Sequence, residues 1–368
     1  MSATPESTPR LDPDSEPSAE RNKYVAWVPT PLHPVALERA RELFDVIEGR
    51  GASSNSCDRS NPLDSRSDTW ERVADCAIVT SGKLARDRVE RSGRLRIVTR
   101  NGVGVDSVPL DACRQKGVCV TNQPGCNAKA VAEVALGLAI SVSRRLCEID
   151  RTLRSSRGRT TTTTAVEWSS PGLDRKTVGL VGMGDTARET AKKFTGAFEC
   201  DIVVYSPTSS RLKWTDRDPT SGGGGSGGAI IRHRRVDTLD ELLETSDVVS
   251  LHCPLNDDTR GIVGKRELGI MKRSAIILNT ARGGLIDEVA LADALETNEI
   301  RGAGIDTLEH EPPTLERYPK LLSLDNAVVL PHVGAQEEES SLRNCLVAVE
   351  TAHSFLTGRG IGESTRVV

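Results

Sequence analysis

Residues 177–187 read TVGLVGMGDTA, and this stretch decides the fold. A strand-like run, TVGLV, at 177–181 gives way to Gly182 and Gly184, and a helical pattern starts at Asp185. Glycines there let a backbone approach a pyrophosphate, while the helix behind them aims its first amides and positive dipole end at the same anion. A second apolar strand, DIVVY, ends at Tyr205, which completes the strand, helix and strand of a dinucleotide unit. Gly182, Gly184, Asp185 and Thr186 are therefore the expected pyrophosphate turn.

The residue after Tyr205 departs from the usual pattern. An NAD site carries Asp or Glu at this strand end to accept the ribose hydroxyls, whereas this chain has Ser206, followed by PTSSR to Arg211. A carboxylate would repel a 2′-phosphate; hydroxyls and a guanidinium could receive one. NAD and NADP both stay open, with the reading leaning to NADP. Arg232–Arg235 (RHRR) could serve the same phosphate, but is read as flanking the glycine-rich run SGGGGSGG.

Further short Val/Ile runs are expected as strands at 24–28, 76–79, 96–99, 178–181, 201–205, 247–251, 275–278, 303–305 and 327–330. Helical patterns separate them, which is the signature of parallel sheets. The expected fold class is α/β, with two Rossmann/flavodoxin-like doubly wound parallel-sheet domains and the active site in the cleft between them. The chain breaks at Asn122-Gln123-Pro124-Gly125, where a long Ala/Val/Leu helix over 128–146 follows, and again at Pro331. The expected organisation is a tail at 1–22, a split substrate domain at 23–122 and 334–368, and a nucleotide domain at 123–333. Stretches 51–68, 155–172 and 206–229 are too polar or glycine-rich to pack.

Composition agrees and excludes alternatives. The 368 residues suffice for two domains, and 3% aromatic content leaves a core of aliphatics and alanine, as parallel strands covered by helices use. A net charge of −4 gives no electrostatic footprint for nucleic acid. No apolar run is long enough to span a bilayer, so no membrane partner is expected. The first twenty residues hold five acids, one base and four prolines, unlike a secretory or transit segment, and the cytoplasm is expected. Nine cysteines, an odd number without metal-knuckle or redox spacing, read as reduced, mostly buried thiols with Cys126 near the cleft; no metal is expected.

Three chemically able residues follow candidate strands, where ligands meet the carboxyl edge of an open sheet. They are Arg282 in NTARG, Glu311 in DTLEHEPP and His332 in LPHVG. A guanidinium presents paired donors to the carboxylate and carbonyl of a 2-oxo acid. An imidazole can exchange the alcohol proton, and a neighbouring carboxylate would orient it and favour its charged form.

In this order, TVGLVGMGDTA, LHCPLNDDTRGIV, NTARGGLID, GAGIDTLEHEPP and LPHVG resemble the D-isomer-specific 2-hydroxyacid dehydrogenases, strongly over about 96–360. That group includes glyoxylate/hydroxypyruvate reductases, phosphoglycerate dehydrogenases and the C-terminal-binding-protein corepressors. The resemblance implies that Arg282 binds substrate, Glu311 pairs with His332, and His332 is the acid/base. It implies that Asp306 contacts the nicotinamide amide, that Thr280, Ala281 and Gly334 line the cofactor, and that Pro254, Leu255 and Thr259 lie on its adenosine side. Ser81 and Gly82, with Gly102, Val103 and Gly104, match loops that grip a carboxylate with backbone amides. Asn127 matches a hinge-proximal asparagine, or is a plain helix cap. The implied function is hydride exchange between NAD(P) and a small 2-oxo acid, by a homodimer paired through the 128–146 helix. The alternative is a dinucleotide-sensing scaffold of the corepressor kind.

Other charged features have plainer readings. The arginines of 83–100 are interleaved with acids and read as a solvated face. His252 reads as packed or cofactor-lining, His310 points away from the site, and Glu309 is the rival of Glu311.

Overall fold

The structure, a computed structural model, describes residues 23–49, 70–155, 168–215, 231–361 and 366–368. Two sheets organise them. Tyr24–Val28 (β1), Phe44–Glu48 (β2), Cys76–Val79 (β3), Ile97–Arg100 (β4) and Cys119–Thr121 (β5) form one, in the order β2-β1-β3-β4-β5. Thr177–Val181 (β6), Asp201–Tyr205 (β7), Arg234–Arg235 (β8), Val248–Leu251 (β9), Ile276–Asn279 (β10), Gly302–Ile305 (β11) and Ala327–Val329 (β12) form the other, in the order β12-β11-β10-β9-β6-β7-β8. All these pairings are parallel, as expected for the α/β class.

Each sheet is apolar on both faces because its strands alternate between two packed layers. In β1, Ala26 and Val28 face the Glu338–Leu356 helix, while Trp27 faces the opposite layer and stacks on Trp70 with ring centroids 4.0 Å apart. In the larger sheet, Val178, Leu180, Ile202 and Val204 pack under the Ala128–Ser143 and Asp185–Phe198 helices. Val181, Val203, Val249 and Leu251 pack under Leu239–Thr245, Lys265–Ile270 and Glu288–Glu296. The chain leaves the first sheet after β5 and returns to it after β12 through the Glu338–Leu356 helix. Strand order reverses between β1 and β3 and between β6 and β9, and ligands bind at such switch points.

Several expectations need correction. Three strands were not foreseen. Phe44–Glu48 follows a helix without a break and carries two acids, Cys119–Thr121 has three residues, and Arg234–Arg235 has no apolar signal. The helix expected over 128–146 ends at Ser143; Arg145, with φ of 56°, turns the chain into a second helix, Leu146–Ser155. The first helix spends its apolar face inside the chain, and the exposed leucines are Leu146 and Leu153 on the second. The stretch 206–229 is not wholly unpacked: Trp214 is 2% exposed, clusters with Ile231 and meets the His233 ring edge-on at 5.6 Å. Residues 216–229 of that stretch, residues 1–22 and 51–68, and most of 155–172 lie outside the described residues.

Candidate active site

The carboxyl-end loops of both sheets enclose a cleft of about 450 Å³. The larger sheet supplies Gly184, Asp185 and Thr186 after β6, Pro254 and Leu255 after β9, Thr280, Ala281 and Arg282 after β10, Asp306 after β11, and His332 and Gly334 after β12. The smaller sheet supplies Val103 and Gly104 after β4, and Asn127 follows β5. Fourteen of the residues singled out from sequence thus line one cleft, although up to 231 positions separate them.

Gly182 sits just behind the wall with φ of +107°, and a β-carbon there would lie 2.7 Å from the His252 carbonyl oxygen. Only glycine lets the turn after β6 pass this close to the strand end of β9. The Asp185–Phe198 helix begins at the next residue but two, with its first amides toward the cleft. Two buried polar atoms on the same wall, Thr280 Oγ1 and His252 Nδ1, find no partner among the described residues. A dinucleotide, rich in both donors and acceptors, fits such a wall. His252 donates to or accepts from Ser250 Oγ at 2.9 Å, and burial holds its imidazole down at about 3, so it is a neutral lining residue.

Arg282 is fixed from both sides. The Asn279 side chain accepts from the Ala281 amide (3.1 Å) and donates to the Arg282 carbonyl (2.8 Å), which closes the turn after β10. The guanidinium then donates to the Ala281 carbonyl (2.7 Å) and, through Nε, to Asp106 Oδ2 (3.1 Å) on the opposite loop. Asn279 and Asp106 were missed in the sequence reading. Asn279 carries no charge to mark it at the start of NTARG, and nothing in sequence ties Asp106 to a residue 176 positions away.

His332 adopts φ of +60°, a left-handed conformation uncommon outside glycine. Asp306, 1% exposed, holds it there by accepting the Val333 amide at Oδ1 (2.8 Å) and the Gly334 amide at Oδ2 (2.9 Å). The Glu311 carboxylate meets His332 Nδ1 at 2.8 and 3.0 Å with both groups largely buried. Glu309 is bound elsewhere, by Arg260 at 2.6 Å, and His310 lines a different cavity beside Tyr318. Of the two acids, Glu311 is the one that touches His332.

Not every expected residue reaches the cleft. The Ser81 amide is used by Thr30 Oγ1 (3.4 Å), the Gly102 carbonyl receives the Gln123 amide (3.0 Å), and Ser81, Gly82 and Gly102 stay off the wall. Thr259 shapes the loop instead, donating to the Pro254 carbonyl (2.7 Å). Arg211 points into solvent, its side chain 84% exposed beside Asp237. Asn127 stands at the N-cap of the Ala128–Ser143 helix without a side-chain capping bond and lines the cleft. Cys253, rather than Cys126, is the cysteine on the wall; burial pushes both thiols up to about 11. The arginines at 86, 88, 91 and 94 pair with Glu90, Asp111, Glu71, Asp87 and Asp75, which makes them an ion-paired face and partly a buried one.

The family model for the D-isomer specific 2-hydroxyacid dehydrogenase NAD binding domain matches residues 136–334, more than half of the chain. A hydroxypyruvate reductase of Thermotoga maritima is 36% identical over 293 residues, covering 78% of this chain and 85% of that protein. A D-3-phosphoglycerate dehydrogenase of Methanocaldococcus jannaschii is 32% identical over 339 residues; the match takes in 90% of this chain but spans only 57% of the length of that enzyme. The crystal structure of an NADPH-dependent glyoxylate/hydroxypyruvate reductase from Sinorhizobium meliloti, with NADP and malonate, aligns at a TM-score of 0.75 and 26% identity, covering 94% of this chain and 97% of that one. The chain therefore belongs to the D-isomer-specific 2-hydroxyacid dehydrogenases, a family of NAD(P)-dependent oxidoreductases.

Proposed function

We propose that the protein interconverts a small 2-oxo acid, of the glyoxylate or hydroxypyruvate kind, and its D-2-hydroxy acid. The observation that carries this is the Glu311–His332 pair at 2.8 Å, on a cleft wall shared with Arg282. Gly184, Asp185 and Thr186 would hold the pyrophosphate, Pro254 and Leu255 the adenosine side, and Thr280, Ala281, Asp306 and Gly334 the nicotinamide side. When bound, the nicotinamide gives a hydride to substrate C2 in reduction and takes it back in oxidation. Val103 and Gly104 offer backbone to the substrate carboxylate, and Arg282 polarises the carbonyl oxygen. With Nδ1 engaged by Glu311, His332 passes its proton from Nε2 to that oxygen as the alcohol forms. The Glu311 carboxylate stabilises the imidazolium until transfer.

The same reading divides the chain into a substrate domain at 23–122 and 334–368 and a nucleotide domain at 123–333, with closure about the crossings excluding water. A homodimer is supported by Leu146 and Leu153, 48% and 65% exposed on one helix. The ion-paired arginines support the absence of a nucleic-acid partner, and the reading of the cysteines as reduced thiols supports the cytoplasm. NADP is favoured by Ser206 where an acid would repel its phosphate, and the Sinorhizobium relative was solved with NADP.

The test is oxidation of NADPH and NADH by the full chain with glyoxylate, hydroxypyruvate, 3-phosphohydroxypyruvate and longer 2-oxo acids. Turnover of the small acids is expected. No turnover across the panel, with tight dinucleotide binding retained, would overturn the enzyme reading in favour of the dinucleotide-sensing scaffold.

A further inference from the structure

We propose that Arg235, not Arg211, selects the 2′-phosphate of NADP, as a single uncompensated positive charge caged beneath the loop that follows β7. The proposal rests on the dinucleotide reading above and deepens it. Arg235 is the last residue of β8 and lies opposite Val204 of β7, one strand removed from β6. Its guanidinium reaches across both neighbouring segments. Nη2 donates to the carbonyls of Ser206 (2.7 Å) and Ser209 (3.1 Å); Nη1 donates to the carbonyl of Ser210 (2.7 Å) and approaches Met183 Sδ (3.4 Å). Met183 belongs to the glycine turn, and Ser206–Ser210 is the loop after the second strand of the unit. Those two segments bracket the adenosine ribose in a dinucleotide fold.

All four acceptors are uncharged, so they orient the cation without neutralising it. The nearby acids are taken by other arginines: Asp237 by Arg211, Glu241 by Arg234, and Asp240 by Arg266. Among the described residues no carboxylate forms an ion pair with Arg235. At the strand end, Ser206 is 7% exposed and its hydroxyl is shared with Ser209 Oγ at 2.8 Å. Where an NAD site presents a negative charge, this corner presents hydroxyls above a positive one. With its four Nη hydrogens already engaged, Arg235 acts through its charge, and a positive charge behind hydroxyls favours a phosphate monoester over a bare hydroxyl. Arg211 lacks any such cage: it makes one contact at 3.3 Å and is otherwise in water.

The experiment compares wild type, Arg235→Gln and Arg235→Lys. It measures kcat/KM with NADPH and NADH, and calorimetric binding of adenosine 2′,5′-bisphosphate against 5′-AMP, which needs no turnover. In the Gln variant the NADPH-to-NADH selectivity and the bisphosphate-to-AMP affinity ratio should both fall about 10- to 100-fold, as loss of the positive charge at that corner predicts. The Lys variant, which keeps the charge but not the fork, should recover most of both ratios. A Gln variant that weakens both members of each pair equally would reduce Arg235 to a loop brace and overturn the proposal. So would wild-type preference for NADPH that Gln leaves unchanged, while the NADP reading itself survived. Wild-type preference for NADH and 5′-AMP would remove the NADP reading, and this proposal with it. Should Arg235→Gln fail to fold, loss of both ratios in the Lys variant would still overturn a role for charge alone.

Discussion

Asp106 and Arg282 meet across the cleft, Oδ2 to Nε at 3.1 Å, although they stand on loops of different sheets. The pair sets the plane of the guanidinium that faces Gly104. Because the side chains of both are partly exposed, 65% for Asp106 and 34% for Arg282, the attraction itself is modest and its value is orientation. Asp106→Asn should raise KM for the 2-oxo acid about 3- to 10-fold with a smaller change in kcat, consistent with about 1 kcal/mol. Steady-state kinetics at saturating cofactor checks this, and a lower KM would show that Asp106 competes with substrate instead.

Gly104 has no room for a side chain. A β-carbon there would lie 1.7 Å from Arg282 Nη2. Gly104→Ala should push the guanidinium away and cost about 100-fold in kcat/KM, as ångström-scale misplacement does. Dinucleotide affinity, read by fluorescence titration, should change little.

Glu311→Gln preserves shape while removing the charge that faces His332. Turnover should fall about 100-fold, and His332→Ala should fall further, within the range of general acid/base contributions. Dinucleotide binding should survive in both variants. The double variant should be no slower than His332→Ala, because the carboxylate acts through the imidazole.

His252 makes stability depend on pH. Burial lowers it from 6.5 to about 3, so between those values the unfolded chain binds a proton that the folded chain refuses. Stability therefore declines as pH falls below 6.5, by up to about 1.4 kcal/mol per unit from this group alone. His252→Gln should flatten that slope between pH 6.5 and 5, which urea midpoints at the two values would measure.

What was legible in the sequence follows from how local each signal is. The turn at Gly182–Gly184 and the strand ends before Arg282, Asp306 and His332 are backbone features, written in consecutive residues, and they appeared where expected. Strands without an apolar run, such as Arg234–Arg235, borrow their structure from β7 and carried no signal. The pairing of Asp106 with Arg282, and the choice between Glu309 and Glu311, depend on contacts 176 and 21 residues apart. Arg211 and Arg235 are chemically identical in a polar stretch; only the fold decides that one faces water and the other a cage of carbonyls.

The packing of Trp214 gives the protein a built-in optical gauge. Trp27 of β1 and Trp70 of the Trp70–Val73 helix lie face to face, 3° from parallel, in the core of the other sheet. Trp214 is seated with His233 just beyond the serine loop held by Arg235. A reduced dinucleotide absorbs where tryptophan emits, so quenching of the protein's four indoles, Trp214 and Trp168 among them, would time cofactor arrival in a stopped-flow trace without any added dye, and Trp214→Phe would give the share that comes from this one.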